Sequence, residues 1–131
     1  MGEKEDRIKL LLVDDEIKYV NVLAKRMAKR NIDVTTALSG SEAIQTLRRE
    51  SFDAAVLDLK MEDMDGIEVL RIFKKMDPKM PVIMLTGHGS ETAARQGIHF
   101  GAYDYLTKPC DLGELVDKIR EACGRGRDTP V

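Results

Sequence analysis

Five side chains stand immediately after short apolar runs, where chemistry and fold meet. Ile8–Val13 is an apolar run broken only by Lys9, and it ends in Asp14-Asp15; a second run, 54 to 57, ends in Asp58. A third, 82 to 85, ends in Thr86, and a fourth, 103 to 107, leads into Lys108-Pro109. If these runs lie side by side as strands, three carboxylates, one hydroxyl and one ammonium converge on a single crevice. Carboxylates packed together repel, so they require either a shared proton or a cation. Two or three carboxylates with no histidine or cysteine suit a hard divalent ion, and magnesium in particular, which keeps waters and completes its shell with a phosphate oxygen. Lys108 is a point charge fitted to a phosphate oxygen, and the Thr86 hydroxyl can bond another. No glycine-rich phosphate loop is present, which argues against a free nucleotide as donor. A carboxylate can itself accept a phosphoryl group, forming an acyl phosphate.

The elements that must position these groups follow from periodicity. Short apolar runs alternate with amphipathic stretches, as in repeated βα units. After the first strand, Ile17, Val20, Leu23, Ala24 and Met27 predict one apolar stripe on a helix ending near Arg30. A β-branched strand is expected over 33 to 37, then a helix announced by Ser39 and Glu42 at capping-box spacing. A polar loop over 59 to 66 separates the third strand from a helix with Ile67, Leu70 and Phe73 inward. Pro81 suits the first position of a strand. The stretch from 90 to 100 offers only Ala93, Ala94, Gly97 and Ile98 as an inward face, with Gly97 weakening it by roughly 1 kcal/mol relative to alanine. That helix is expected to be the least stable. Asp111 and Glu114 open a last helix with the stripe Leu112, Leu115, Val116, Ile119 and Cys123, and Gly124 stops it. Five strands and five helices in strict alternation predict an α/β fold with a doubly wound parallel sheet. In such a sheet ligands bind outside the carboxyl ends of the strands, where the five side chains lie.

The 131 residues fit one domain, with 43% hydrophobic residues for a core and 34% charged residues to cover it. Twenty-one basic against 23 acidic residues, without a basic block, argue against nucleic acid as a direct partner. No apolar run reaches the length of a membrane span, and the charged start is unlike a signal peptide, so a cytoplasmic location is expected. Cys110 and Cys123 have no metal-ligand spacing and read as reduced thiols. His88 and His99 have no third nitrogen or sulfur partner nearby; His88 is placed at the rim of the crevice. Taken singly, Asp14-Asp15 also reads as a helix N-cap pair, Asp58 as a turn residue and Tyr105 as a half-buried aromatic.

Leu11-Leu12-Val13-Asp14-Asp15-Glu16, Leu57-Asp58-Leu59-Lys60-Met61-Glu62-Asp63-Met64-Asp65-Gly66, Met84-Leu85-Thr86-Gly87-His88-Gly89 and Gly101-Ala102-Tyr103-Asp104-Tyr105-Leu106-Thr107-Lys108-Pro109 occur in this order at the expected strand ends. Together they resemble the receiver domain of two-component response regulators over residues 8 to 123. The resemblance implies a flavodoxin-like sheet in the order 2-1-3-4-5, with residues 1 to 7 a charged tail and 124 to 131 a flexible tail or the start of a linker. It implies that Asp58 accepts a phosphoryl group from a sensor histidine kinase or phosphotransfer protein. Mg2+ would be bound by Asp14 (through water), Asp15, Asp58 and the Lys60 carbonyl, and Lys108 would hold the phosphoryl oxygen. Thr86 and Tyr105 would form the switch pair, and the Lys108-Pro109 bond would be cis. Signalling would pass through the surface of the fourth helix, last strand and last helix to an output domain or protein, with dimerisation on phosphorylation a further expectation. Such a protein catalyses only its own phosphorylation and dephosphorylation. The wording Leu85-Thr86-Gly87-His88-Gly89-Ser90 is similar to receivers attached to transcriptional activators or to hybrid histidine kinases. Glu62 departs from the proline usual in the family, and Lys60 stands where its side chain can lie over the phosphoryl group. The other reading considered is a small Mg-dependent aspartyl-nucleophile phosphatase, which usually has a second Asp two residues after the nucleophile, where this chain has Lys60.

Overall fold

The computed structural model describes residues 7 to 87 and 91 to 125. His88, Gly89, Ser90 and the termini at 1 to 6 and 126 to 131, with the rim position of His88 and the two tails, lie outside the described residues. The elements in order are β1 (Ile8–Val13), α1 (Ile17–Ala28), β2 (Ile32–Ala37), α2 (Gly40–Arg49), β3 (Ala54–Asp58), α3 (Gly66–Met76), β4 (Val82–Thr86), α4 (Glu91–His99), β5 (Asp104–Thr107) and α5 (Leu112–Ala122). All pairings are parallel, as the alternation of elements predicts for a doubly wound sheet, and the order is β2-β1-β3-β4-β5, the flavodoxin-like order that the resemblance implies.

Continuous apolar runs become the central strands because both faces of the sheet are covered. β3 and β4 are buried at every position, and β1 at every position but Lys9. One face packs Leu10, Leu12, Val56, Ile83 and Leu85 against α1 and α5; the other packs Leu11, Val13, Leu57 and Met84 against α2 and α3. Alternation along each strand thus divides the core into two layers, and the polar residue that ends each run is left at the sheet's carboxyl edge.

Two positions expected in the core are at its rim. Ile17 is 57% exposed because it opens α1 before the turn that reaches the sheet, and burial begins at Val20. Ile98 is 41% exposed. Its helix contacts the sheet along Ala94 and Gly97, and a Cβ at Gly97 would overlap the Met84 side chain. The glycine that lowers helix propensity is therefore also the one that lets α4 approach β4, and Ile98 is turned aside by that line of contact. The caps follow the sequence more closely. Ser39 Oγ accepts from Glu42 N–H (3.0 Å) and Asp111 Oδ2 from Glu114 N–H (3.1 Å). Gly124, with φ 71°, ends α5, its N–H donating to the Glu121 carbonyl.

The loop between β3 and α3 closes on itself. Gly66 N–H donates to the Leu59 carbonyl (3.3 Å), Lys60 pairs with Asp65, and Asp65 Oδ1 caps α3 through Ile67 N–H (3.0 Å). A Cβ at Gly66 would lie 2.5 Å from Leu59 Cα and 2.7 Å from its carbonyl oxygen, so backbone would have to move. Gly66→Ala is expected to lower stability by about 2 kcal/mol, the usual scale of overpacking. Urea unfolding checks this, and an unchanged midpoint would show that the loop does not need that approach.

Candidate functional site

Asp14 and Asp58, at the ends of adjacent strands, are buried, with 0% and 5% of their surface exposed. Asp15 completes a trio whose carboxylate oxygens lie within 4.8 Å of one another. The Lys108 ammonium donates to Asp14 Oδ2 and Glu16 Oε1, each at 2.9 Å, and stands 3.8 Å from Asp58 Oδ2. The cis Lys108-Pro109 bond follows β5, and Lys108 N–H donates to the Thr86 carbonyl (2.6 Å), joining the ends of β4 and β5. Asp15, Glu16, Asp58, Lys60, Gly87 and Lys108 line an open cleft of about 260 Å³.

Electrostatics make this crevice short of positive charge. Burial is the main reason the Asp58 carboxyl is pushed up to about 6; the Lys60 N–H, at 3.1 Å from Oδ1, opposes the shift and the Asp14 charge adds to it. Burial also disfavours the charge on Lys108, yet its hydrogen bonds to Glu16 and Asp14 outweigh that and hold the ammonium above its ordinary pKa. Among the described residues, the Lys108 ammonium is the cation in contact with these acids, and Asp14, Asp15, Asp58 and Glu16 outnumber it even with Lys60 on the cleft wall. An all-oxygen donor set with a charge deficit fits a hard divalent cation and would not favour a soft one.

The N-cap alternative for Asp14-Asp15 does not describe the start of α1. The N-cap residue is Glu16, and it makes no side-chain cap bond. Asp14 Oδ1 instead accepts from Glu16 N–H (3.0 Å), while its other oxygen and the Glu16 carboxylate both go to Lys108. Groups that would otherwise satisfy the helix terminus are diverted into the cleft.

Thr86 is buried and Tyr105 half-buried, and neither side chain is among those that line the cleft. Met84 pairs with Tyr105 and Thr86 with Thr107, so period-two alternation puts Thr86 and Tyr105 on the same sheet face as diagonal neighbours. Three further residues shape the site without a role assigned from the sequence. Glu16 is one. Tyr19 is another, its ring 4.6 Å from the Lys108 ammonium and its phenol pushed up to about 12, chiefly by burial, so the ring meets the lysine uncharged. Asp63 is the third. From the loop beyond Lys60 it accepts from Gly40 N–H (2.9 Å), Ser41 N–H (3.0 Å) and Ser41 Oγ (3.0 Å), capping α2 and tying the loop to it. Those N–H groups hold the Asp63 carboxyl below its ordinary pKa. Cys110 and Cys123 are free, partly buried thiols with raised pKa values, chiefly from burial.

A sequence profile of the response regulator receiver domain matches residues 10–120. The transcriptional regulatory protein GlrR of Escherichia coli K12 is 40% identical over 113 residues, which are 86% of this chain and 26% of that protein. The transcriptional regulatory protein ZraR of Salmonella typhimurium is 32% identical over 123 residues, 94% of this chain and 28% of that protein. Among solved structures, a response regulator receiver domain protein from Clostridium thermocellum superposes with a TM-score of 0.86 at 33% identity, covering 89% of this chain and 94% of that one. The chain belongs to the response regulator receiver domain family, the signalling input module of two-component systems. It spans about a quarter of the length of the curated relatives it matches. Among the described residues, no helix is long and apolar enough to cross a membrane.

The raised Asp58 pKa has a consequence for folding. Between the ordinary carboxyl range near 4 and about 6, the folded protein holds a proton that the unfolded chain has lost, so this group's contribution to stability falls as pH rises through that window. In metal-free solution, Asp58→Asn should be more stable than the wild type by about 2 to 3 kcal/mol at pH 7.5 and nearly equal to it at pH 4. Urea unfolding at the two pH values checks the sign, and a pH-independent gap would contradict it.

Proposed function

We propose that this receiver takes a phosphoryl group on Asp58 and that the site binds Mg2+ through Asp14, Asp15, Asp58 and the Lys60 carbonyl. The observation that carries the reading is the charge deficit around a buried, strand-terminal carboxylate with an ammonium 3.8 Å away. An Asp58 carboxylate oxygen attacks the phosphorus of a phosphohistidine. The O–P bond forms as the P–N bond breaks, and the imidazole nitrogen leaves with the electron pair and takes up a proton. The product is an acyl phosphate. When bound, Mg2+ supplies the positive charge that offsets the phosphoryl oxygens during transfer. Lys108 binds one of those oxygens as a point charge. Asp15, and Asp14 through water, would hold the cation, and Lys60 orients Asp58 through its backbone N–H.

The donor is a sensor histidine kinase or phosphotransfer protein, in keeping with the two-component family, and the receiver catalyses only its own phosphorylation and dephosphorylation. Residues 8 to 123 form the receiver, in a cytoplasmic protein. The relatives GlrR and ZraR are named transcriptional regulators, which favours an output domain over the hybrid-kinase setting. Phosphoryl oxygens draw the Thr86 hydroxyl inward, Tyr105 fills the space vacated, and the surface of α4, β5 and α5 changes for a partner or a second copy.

With Mg2+ and acetyl phosphate, the protein should gain one base-labile, hydroxylamine-sensitive phosphoryl group. Asp58→Asn should abolish it, and Asp15→Asn should weaken Mg2+ binding about tenfold, as loss of one anionic ligand does. Full labelling of the Asp58→Asn protein, measured by intact mass, would refute the assignment. Thr86→Ala should still be phosphorylated while losing the amide-exchange changes that beryllofluoride induces over residues 91 to 107 of the wild type. Equal exchange changes in the two proteins would remove Thr86 from the switch.

A further inference from the structure

Glu16 has a second tie that makes its position purposeful. Asp14 Oδ1 accepts from Glu16 N–H (3.0 Å), Asp14 Oδ2 accepts from Lys108 Nζ (2.9 Å), and Lys108 Nζ donates to Glu16 Oε1 (2.9 Å). The three residues form a closed ring in which the Asp14 carboxylate fixes the Glu16 backbone and the two acids hold the ammonium between them. The Tyr19 ring, 4.6 Å from Nζ, adds a further attraction. Held this way, the ammonium stops 3.8 Å from Asp58 Oδ2, beyond hydrogen-bond reach.

We propose that Glu16 is a positioning residue that holds Lys108 away from Asp58 before phosphorylation, so that releasing the ammonium from Glu16 to the phosphoryl oxygen slows phosphorylation a few-fold. The inference rests on reading Asp58 as the acceptor. A cation that draws on Asp14 weakens one side of the ring, and Glu16 is then the carboxylate left to keep the ammonium in place. The Glu16 side chain is 61% exposed and Lys108 only 19%, so the pair is released at the modest scale of a partly solvated ion pair. Such a pair is worth a few-fold in an equilibrium, enough to tune a rate without blocking it.

The test compares phosphorylation by acetyl phosphate at Mg2+ saturating for each variant, which removes any effect on cation affinity. Glu16→Gln removes both charge and ion pair. Glu16→Asp keeps the charge and withdraws the carboxylate by one methylene. The expected result is that both variants are phosphorylated roughly threefold faster than the wild type, and that Glu16→Gln changes nothing in a Lys108→Ala background. Acceleration by Glu16→Gln alone would mean that Glu16 merely repels the anionic donor, and would overturn the proposal. So would rates equal to the wild type, or an unchanged effect without Lys108. If the wild type itself is not phosphorylated, the reading of Asp58 fails separately. The hold on Lys108 is then read from the side-chain 15Nζ resonance of Lys108, which Glu16→Gln should shift; an unmoved resonance would overturn it.

Discussion

Burying Asp14 and Asp58 at the carboxyl edge of the sheet, with the Lys108 ammonium as the cation close to both among the described residues, is the constraint on which the rest of the site depends. Carboxylates deprived of water oppose ionisation, and neighbouring carboxylates oppose it further. The Asp58 carboxyl, pushed up to about 6, registers that opposition, and Lys108, held in its charged form, partly relieves it. A proton or a divalent cation can each offset what remains, and a phosphoryl group, which carries more negative charge than the carboxylate it would replace, adds to the need for the cation. The unbalanced charge set on which the proposed phosphoryl chemistry rests is built into the carboxyl edge of the sheet.

The scaffold supplies the rigidity. Fully buried β3 and β4 bring Asp58 and Thr86 to the same edge, and the in-register pairing of β1 with β3 brings Asp14 and Asp15 beside them. Around this edge the connections are tied down by backbone bonds. Gly66 permits the loop after β3 to close on Leu59, and Asp63 anchors that loop to the first turn of α2. Lys60, between these two ties, is held where its N–H meets Asp58. α4 is different, since it meets the sheet through Ala94 and Gly97 and leaves Ile98 and Phe100 exposed. A helix held by so little apolar contact is the element most easily displaced.

Most of this architecture was legible because it is local. Apolar runs of strand length, stripes at helical spacing and the Ser39 and Asp111 caps are each written within a dozen residues, and the polar residues ending the runs mark the crevice. What was not legible depends on distance or on the direction of approach. Glu16 meets Lys108 across 92 residues of sequence, and Asp63 meets Gly40 across 23. No spacing rule announces such pairs; the only hint for Glu16 was that it continues the acidic run of Asp14-Asp15. Ile17 and Ile98 satisfy helical periodicity but lie at the margins of their contacts, because periodicity gives a face and not the depth at which that face meets the sheet. Gly97 lowers helix propensity through its backbone entropy, and its place against Met84, which no local pattern announces, gives it a packing role as well.

The most direct test of the central claim is to trap the acyl phosphate chemically. Protein incubated with acetyl phosphate and Mg2+ is treated with borohydride, which reduces an acyl phosphate to an alcohol and leaves free carboxylates intact, and the tryptic peptides are sequenced by mass spectrometry. The account predicts reduction at position 58 alone, recovered as homoserine, and none when Mg2+ is chelated beforehand. Reduction at Asp14 or Asp15, or an unreduced Asp58 in protein that has gained phosphate, would contradict it.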